Sequence, residues 1–203
     1  MTLRILFLWL ILVPSASGDP KILILGDSLS AGYGLDADRT WVSIIADNTS
    51  EFIGFDAQIL NASISGETTA GGLSRLPGLL SRHNPDVVMI LLGANDGLRG
   101  LPLAKMRDNL IAMIQLVRNS DATALYGGIE LPRNYGGSYT RAFRKIQNQV
   151  ASATDVPFLP FFLEPVALRS ELFQQDGLHP TEDAQPILAD YIGQFIRIAL
   201  LSK

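Results

Sequence analysis

The chain of 203 residues contains no cysteine. That removes disulfide staples, thiolate metal sites, a cysteine nucleophile and a cysteine for N-terminal acylation. Histidine is nearly as scarce: His83 and His179 are the only two, and no H-x-x-x-H pair or other metal-ligand spacing accompanies them. No metal or cofactor is therefore expected. A basic excess is missing too, since 16 Lys and Arg stand against 20 Asp and Glu for a formal net charge of −4. That balance gives nucleic-acid binding little electrostatic support, and Arg141, Arg144 and Lys145 read as one solvated helix face. Internal repeats, low-complexity tracts and long linkers are absent as well. One domain is the economical reading at this length.

Long apolar runs are confined to the start. "MTLRILFLWLILVPSASGDP" carries one early positive charge at Arg4, an apolar run over 5–13, then Pro14 and small residues to Gly18. A spanning helix needs about 20 apolar residues, so the run is short for an anchor and has the layout of a secretory signal peptide. Residues 1–18 are expected to be a signal peptide, cleaved after Ser17 or Gly18. Residues 19–203 are expected to be a single domain, periplasmic or secreted, with no stable membrane anchor. Without disulfides that domain must stand on its core alone.

What is present is alternation. The runs 21–25, 57–63, 86–93 and 122–128 are short and apolar, with Gly, Asn or Asp at their edges. Residues 86–92 are apolar at nearly every position, as in a parallel strand covered on both faces. Amphipathic stretches over 40–50, 67–83, 102–119 and 138–153 separate them. A last helix is expected over 181–201, with Thr181 or a neighbour as cap. Alternating β and α elements predict an α/β layered domain around a mainly parallel sheet, with ligands at the carboxyl ends of its strands.

Polar clusters fall at such ends. "ILILGDSLSAGYG" closes an apolar strand with Gly26-Asp27-Ser28, a turn small enough to hold up a serine. "NASISGET" places Gly66 after the next strand, and "LLGANDG" places Asn95 after the third. In "QDGLHPTEDAQ", Asp176 precedes His179 by three residues across Gly177. A carboxylate that holds one imidazole nitrogen while the other faces outward is what a hydroxyl nucleophile needs. A backbone N–H without Cβ and a side-chain amide are suitable donors for an oxyanion. Each piece alone reads equally well as capping or turn chemistry, and His83 reads as a helix-end cation. Their combination points to acyl transfer.

GDSL at 26–29, Gly66 in "SISGET", GAND at 93–96 and DGLHP at 176–180 resemble the four sequence blocks of the SGNH (GDSL) hydrolases. Further stretches, from "LNASISGETTAGGLSRLPGLL" to "DGLHPTEDAQP", resemble its secreted bacterial arylesterase, acyl-CoA thioesterase I and lysophospholipase L1 branch. The resemblance implies a three-layer α/β/α sandwich of flavodoxin-like type with a mainly parallel central sheet. It implies Ser28 as nucleophile, His179 as general base and Asp176 as its orienting acid. Ser28 N–H, Gly66 N–H and the Asn95 amide would be oxyanion donors, and Asp27 would brace the turn beside the substrate. Residues 71–77, "GGLSRLP", are implied as a loop that binds the acyl chain through Gly72, Leu73, Leu76 and Pro77. The spacing of the leucines at 73, 76, 79 and 80 suits a helix packing on the core equally well.

The expected activity is hydrolysis of carboxylic esters and thioesters, such as aryl esters, acyl-CoA and lysophospholipids, by a monomer. Its only partner would be the small-molecule substrate. The alternatives are a carbohydrate O-deacetylase on the same scaffold and a non-catalytic lipid or carbohydrate binder. "GYGLDA" at 32–37 fits G-x-G-x-x-A, but several residues separate it from the strand end that a dinucleotide fingerprint requires.

Overall fold

The computed structural model describes residues 18–201, so the expected leader lies, apart from Gly18, outside the described residues. Five strands, β1 (Lys21–Gly26), β2 (Gln58–Asn61), β3 (Val87–Leu91), β4 (Thr123–Gly127) and β5 (Phe158–Leu159), form one sheet. All its pairs are parallel, in the order β2-β1-β3-β4-β5. Residues 22–25 of β1 and 87–91 of β3 are buried at every position, as their unbroken apolar runs require of strands covered on both faces.

Helices supply the cover. A short helix α1 (Ser28–Ala31) follows β1; α2 (Trp41–Asp47) and α3 (Thr49–Phe52) lead to β2; α4 (Thr69–His83) leads to β3. Beyond β3 lie the one-turn α5 (Ala94–Leu98), α6 (Leu103–Asn119), α7 (Gly137–Thr154) and the final α8 (Gln185–Leu201). α6 packs between α4 and α7, while α2 and α3 pack with α8. Right-handed crossovers set these two groups on opposite faces of the sheet, which makes the three-layer α/β/α sandwich. The apolar stripe of α6, with Met106, Leu110, Met113, Ile114 and Val117, is buried throughout and forms much of one core layer.

Local chemistry shifts several boundaries. The single helix expected over 40–50 is two, because Asn48 leaves helical geometry at φ −147 and ψ 65. The first of them starts at a reciprocal capping box between Thr40 and Ser43. Thr181 sits at the cap position of a 3-10 turn over 182–184 that precedes α8, but its hydroxyl makes no capping bond. β5 is two residues long, too short for any apolar periodicity to announce.

In this strand order the chain moves outward from β1 to β2, then returns past β1 to β3 and continues the other way. Crevices form at such reversals, outside the carboxyl ends of the strands. The segments after β1, β2 and β3 carry Ser28, Gly66 and Asn95.

Candidate active site

Gly26 ends β1 where there is no room for a side chain: a Cβ there would lie 2.7 Å from Ser30 Oγ and 2.8 Å from its Cβ. Asp27 then caps α1, accepting a hydrogen bond from Leu29 N at 3.1 Å, and Ser28 opens the helix. As a first-turn residue Ser28 has no preceding carbonyl for its own N–H. The β1–β2 ladder continues beyond β2, with Ala62 N donating to Ile24 O and Ile64 N to Gly26 O. That pairing lays the following turn beside Ser28. Gly66 sits in this turn at φ +78, a left-handed conformation that favours glycine.

The third segment starts at Gly93, with φ +125, and places Asn95 in the first turn of α5. Its Nδ2 donates to Asp27 Oδ2 at 3.2 Å, which leaves the second amide hydrogen free of that contact. Neighbouring Asp96 is buried and accepts from both N (2.8 Å) and Oγ1 (2.6 Å) of Thr69, tying α5 to the start of α4.

The fourth segment crosses over from the far end of the chain. An antiparallel bridge between Phe173 and Pro180 closes a loop on which Gly177 takes φ +66. Inside it, Asp176 Oδ1 accepts from Leu178 N (2.9 Å) and His179 N (3.0 Å), and Asp176 Oδ2 meets His179 Nδ1 at 2.7 Å. His179 Nε2 lies 2.9 Å from Ser28 Oγ. With Nδ1–H donating to the carboxylate, Nε2 accepts from the serine hydroxyl. Gln174 fastens this loop to the first one by donating to Tyr33 O (2.8 Å) and Pro180 O (3.1 Å), and the Tyr33 ring lies 4.5 Å from the imidazole.

Electrostatics separate the two aspartates. Partial burial pushes Asp176 upward, but the His179 and Leu178 N–H groups and the imidazole outweigh it and hold the carboxyl at about 2. Asp27 is 2% exposed, and desolvation lifts it to about 6 against hydrogen bonds from Leu29 and Asn95 and the pull of His179. Asp176 is therefore a committed anion beside the imidazole, while Asp27 is a strained one beneath the turn.

Ser28, Gly66, Asn95 and His179 line one cleft of about 550 Å³. Asp27 lines it as well. Its wall is mostly apolar, built from Leu98, Ile129, Leu131, Phe161, Leu163 and Leu168 among others. None of these six was anticipated as a cleft residue; most follow β4 and β5, and carboxyl-end segments were the one available signal. Ala94 also lines the cleft, as does Glu130, which pairs with Arg144 at 2.6 Å.

The stretch 71–77 is a correction. It is not a loop but the first half of α4, and Gly72, Leu73, Leu76 and Pro77 do not line the cleft. Leu76 is fully buried, and a Cβ on Gly72 would lie 2.3 Å from Leu92 Cδ1. The helical spacing of these leucines, with Leu76 and Leu80 buried and Leu73 and Leu79 packed against the core, decides the matter. Among the described residues, no group of three or more His, Asp or Glu is placed to hold a metal ion.

Known proteins resemble this chain in sequence and architecture. The chain is 44% identical over 189 residues to an arylesterase of Vibrio mimicus, covering 93% of this chain and 94% of the relative. It is 43% identical over 192 residues to the thioesterase 1/protease 1/lysophospholipase L1 of Escherichia coli K12, covering 95% and 90%. The solved structure of the psychrotrophic esterase EstA from Pseudoalteromonas sp., inhibited by monoethylphosphonate, superposes with a TM-score of 0.85. It is 40% identical, covering 91% of this chain and 100% of that one. The sequence profile of the GDSL-like lipase/acylhydrolase family matches residues 24–185, and with relatives of this identity and coverage the chain belongs to that family.

Proposed function

We propose that the protein hydrolyses carboxylic esters and thioesters through an acyl-enzyme on Ser28. The hydrogen-bonded chain Asp176–His179–Ser28, whose serine and histidine line a mostly apolar cleft, carries this reading. Ser28 Oγ attacks the carbonyl carbon while His179 Nε2 takes its proton, and Asp176 holds the resulting imidazolium. The oxyanion is received by the N–H groups of Ser28 and Gly66 and the free hydrogen of the Asn95 amide. The imidazolium protonates the departing alcohol or thiol, and water repeats the sequence to release the acid. The apolar wall suits an acyl chain better than the sugar ring of a carbohydrate deacetylase. An intact nucleophile–base pair argues against a purely binding role.

All four site-bearing segments come from one chain, which supports a single domain over 19–203 working as a monomer. The pattern of 1–18 supports export and cleavage, and N-terminal sequencing of the mature protein checks it. Hydrolysis of p-nitrophenyl acyl esters tests the chemistry: Ser28→Ala should abolish it while circular dichroism and melting temperature stay unchanged. Full activity in a folded Ser28→Ala protein would end the proposal.

A further inference from the structure

Arg99 lies just past α5, exposed to solvent and outside the cleft lining. Its Nη2 donates to the Gly66 carbonyl at 2.9 Å and to Asn95 Oδ1 at 3.5 Å. One guanidinium thus reaches across from the end of the third site segment to the turn of the second. Among the described residues, no other donor reaches either oxygen. From this geometry we infer that Arg99 is a positioning residue for the oxyanion site, holding Gly66 and Asn95 in register without touching the reacting atoms. The inference rests on the reading of those two residues as oxyanion donors.

The physical case has two halves. A primary amide can rotate so that its oxygen and nitrogen change places, and the two orientations have opposite consequences here. With Oδ1 turned to Arg99, Nδ2 donates to Asp27 and keeps one hydrogen for the cleft. In the reverse orientation Oδ1 would oppose the Asp27 carboxylate and present an acceptor to a developing negative charge. A cation on the oxygen side selects the productive orientation. Gly66 is the second half: at φ +78 its backbone takes a left-handed conformation with no Cβ to restrain it. A guanidinium bonded to its carbonyl fixes the peptide plane. Nη2 lies only 3.2 Å from where a Cβ would stand, so this approach suits glycine.

Exposed contacts of this kind contribute little to stability, so a purely structural arginine would be nearly silent. A positioning arginine would not be, because small displacements of preorganised donors are amplified in rate. The test compares Arg99→Ala, Arg99→Lys and Asn95→Ala on a neutral p-nitrophenyl ester. Arg99→Ala should lower kcat about 10-fold with KM changed less than about 2-fold, and leave the melting temperature unchanged. Millimolar guanidinium should restore part of that loss and do nothing for the wild type. Arg99→Lys keeps the charge but ends one bond short of the Nη2 position that makes both contacts, so it should stay close to Arg99→Ala. Wild-type kcat in Arg99→Ala, full activity in Arg99→Lys, or a loss that tracks unfolding and resists guanidinium would each overturn the inference. Wild-type kcat in Asn95→Ala would instead remove the oxyanion reading beneath it.

Discussion

Asn95 and Asp27 share a hydrogen bond, and the two side chains respond to the site in different ways. Replacing Asn95 by Ala should cut kcat by about 10²–10³ in steady-state ester hydrolysis, the effect of losing one preorganised donor. Asp27 makes a prediction about pH. Its carboxyl rises from the ordinary 3.8 to about 6 on folding, so the folded chain binds the proton more tightly than the unfolded one. Its contribution to stability is therefore present below pH 4 and is lost as the pH climbs through 6. Unfolding free energies of the wild type and Asp27→Asn from urea titration, compared across that window, should diverge in favour of the variant by up to about 3 kcal/mol. Asp176 works in the opposite sense: depressed to about 2, it stabilises the fold above the usual carboxylate range and stops doing so as the pH falls toward 2. At this scale the chain was legible where chemistry is local. Gly26-Asp27-Ser28 and Asp176-x-x-His179 each form from neighbours in sequence. Arg99 was not legible, because its partner on Gly66 meets it only after β2 and β3 have been placed on either side of β1.

Elements were read well where apolar periodicity is long. α4, α6 and α7 were expected within two residues of their observed ends, since a buried stripe over four or five turns leaves little choice of face. Short pieces escaped. α1 and α5 hold one turn each, and β5 two residues, so their geometry is set by neighbours rather than by their own pattern. Over 71–77 the resemblance implies a loop and the leucine spacing a helix, and the helix is what forms. Two substitutions separate the readings experimentally. Leu76→Ala, deep in α4, should lower stability by about 2–5 kcal/mol and leave the acyl chain-length profile of ester hydrolysis as it was. Leu168→Ala should do the reverse. That residue lines the cleft yet is 92% exposed, so stability should stay within about 0.5 kcal/mol while KM rises for the longer esters.

The molecule as a whole is arranged around the reversal between β1 and β3, and that arrangement followed from the alternation of strands and helices once the strand order was known. The order itself depends on which strands pair across long stretches of chain, which no single segment records. With no cysteine to oxidise or mispair, the chain should recover its full ester-hydrolysing activity on dilution from urea without any redox couple. A refolding yield that depends on added thiol would contradict this. Ser28, the proposed nucleophile, is laid down just after the first strand, whereas His179, its proposed base, arrives on a loop just ahead of the last helix, which docks onto α2 and α3 and takes the Trp41 N–H through Gln185. On the proposed mechanism, a chain cut before this loop would carry an inert serine. By the same proposed mechanism, turnover begins only when the loop that bears His179 and the helix behind it have been seated.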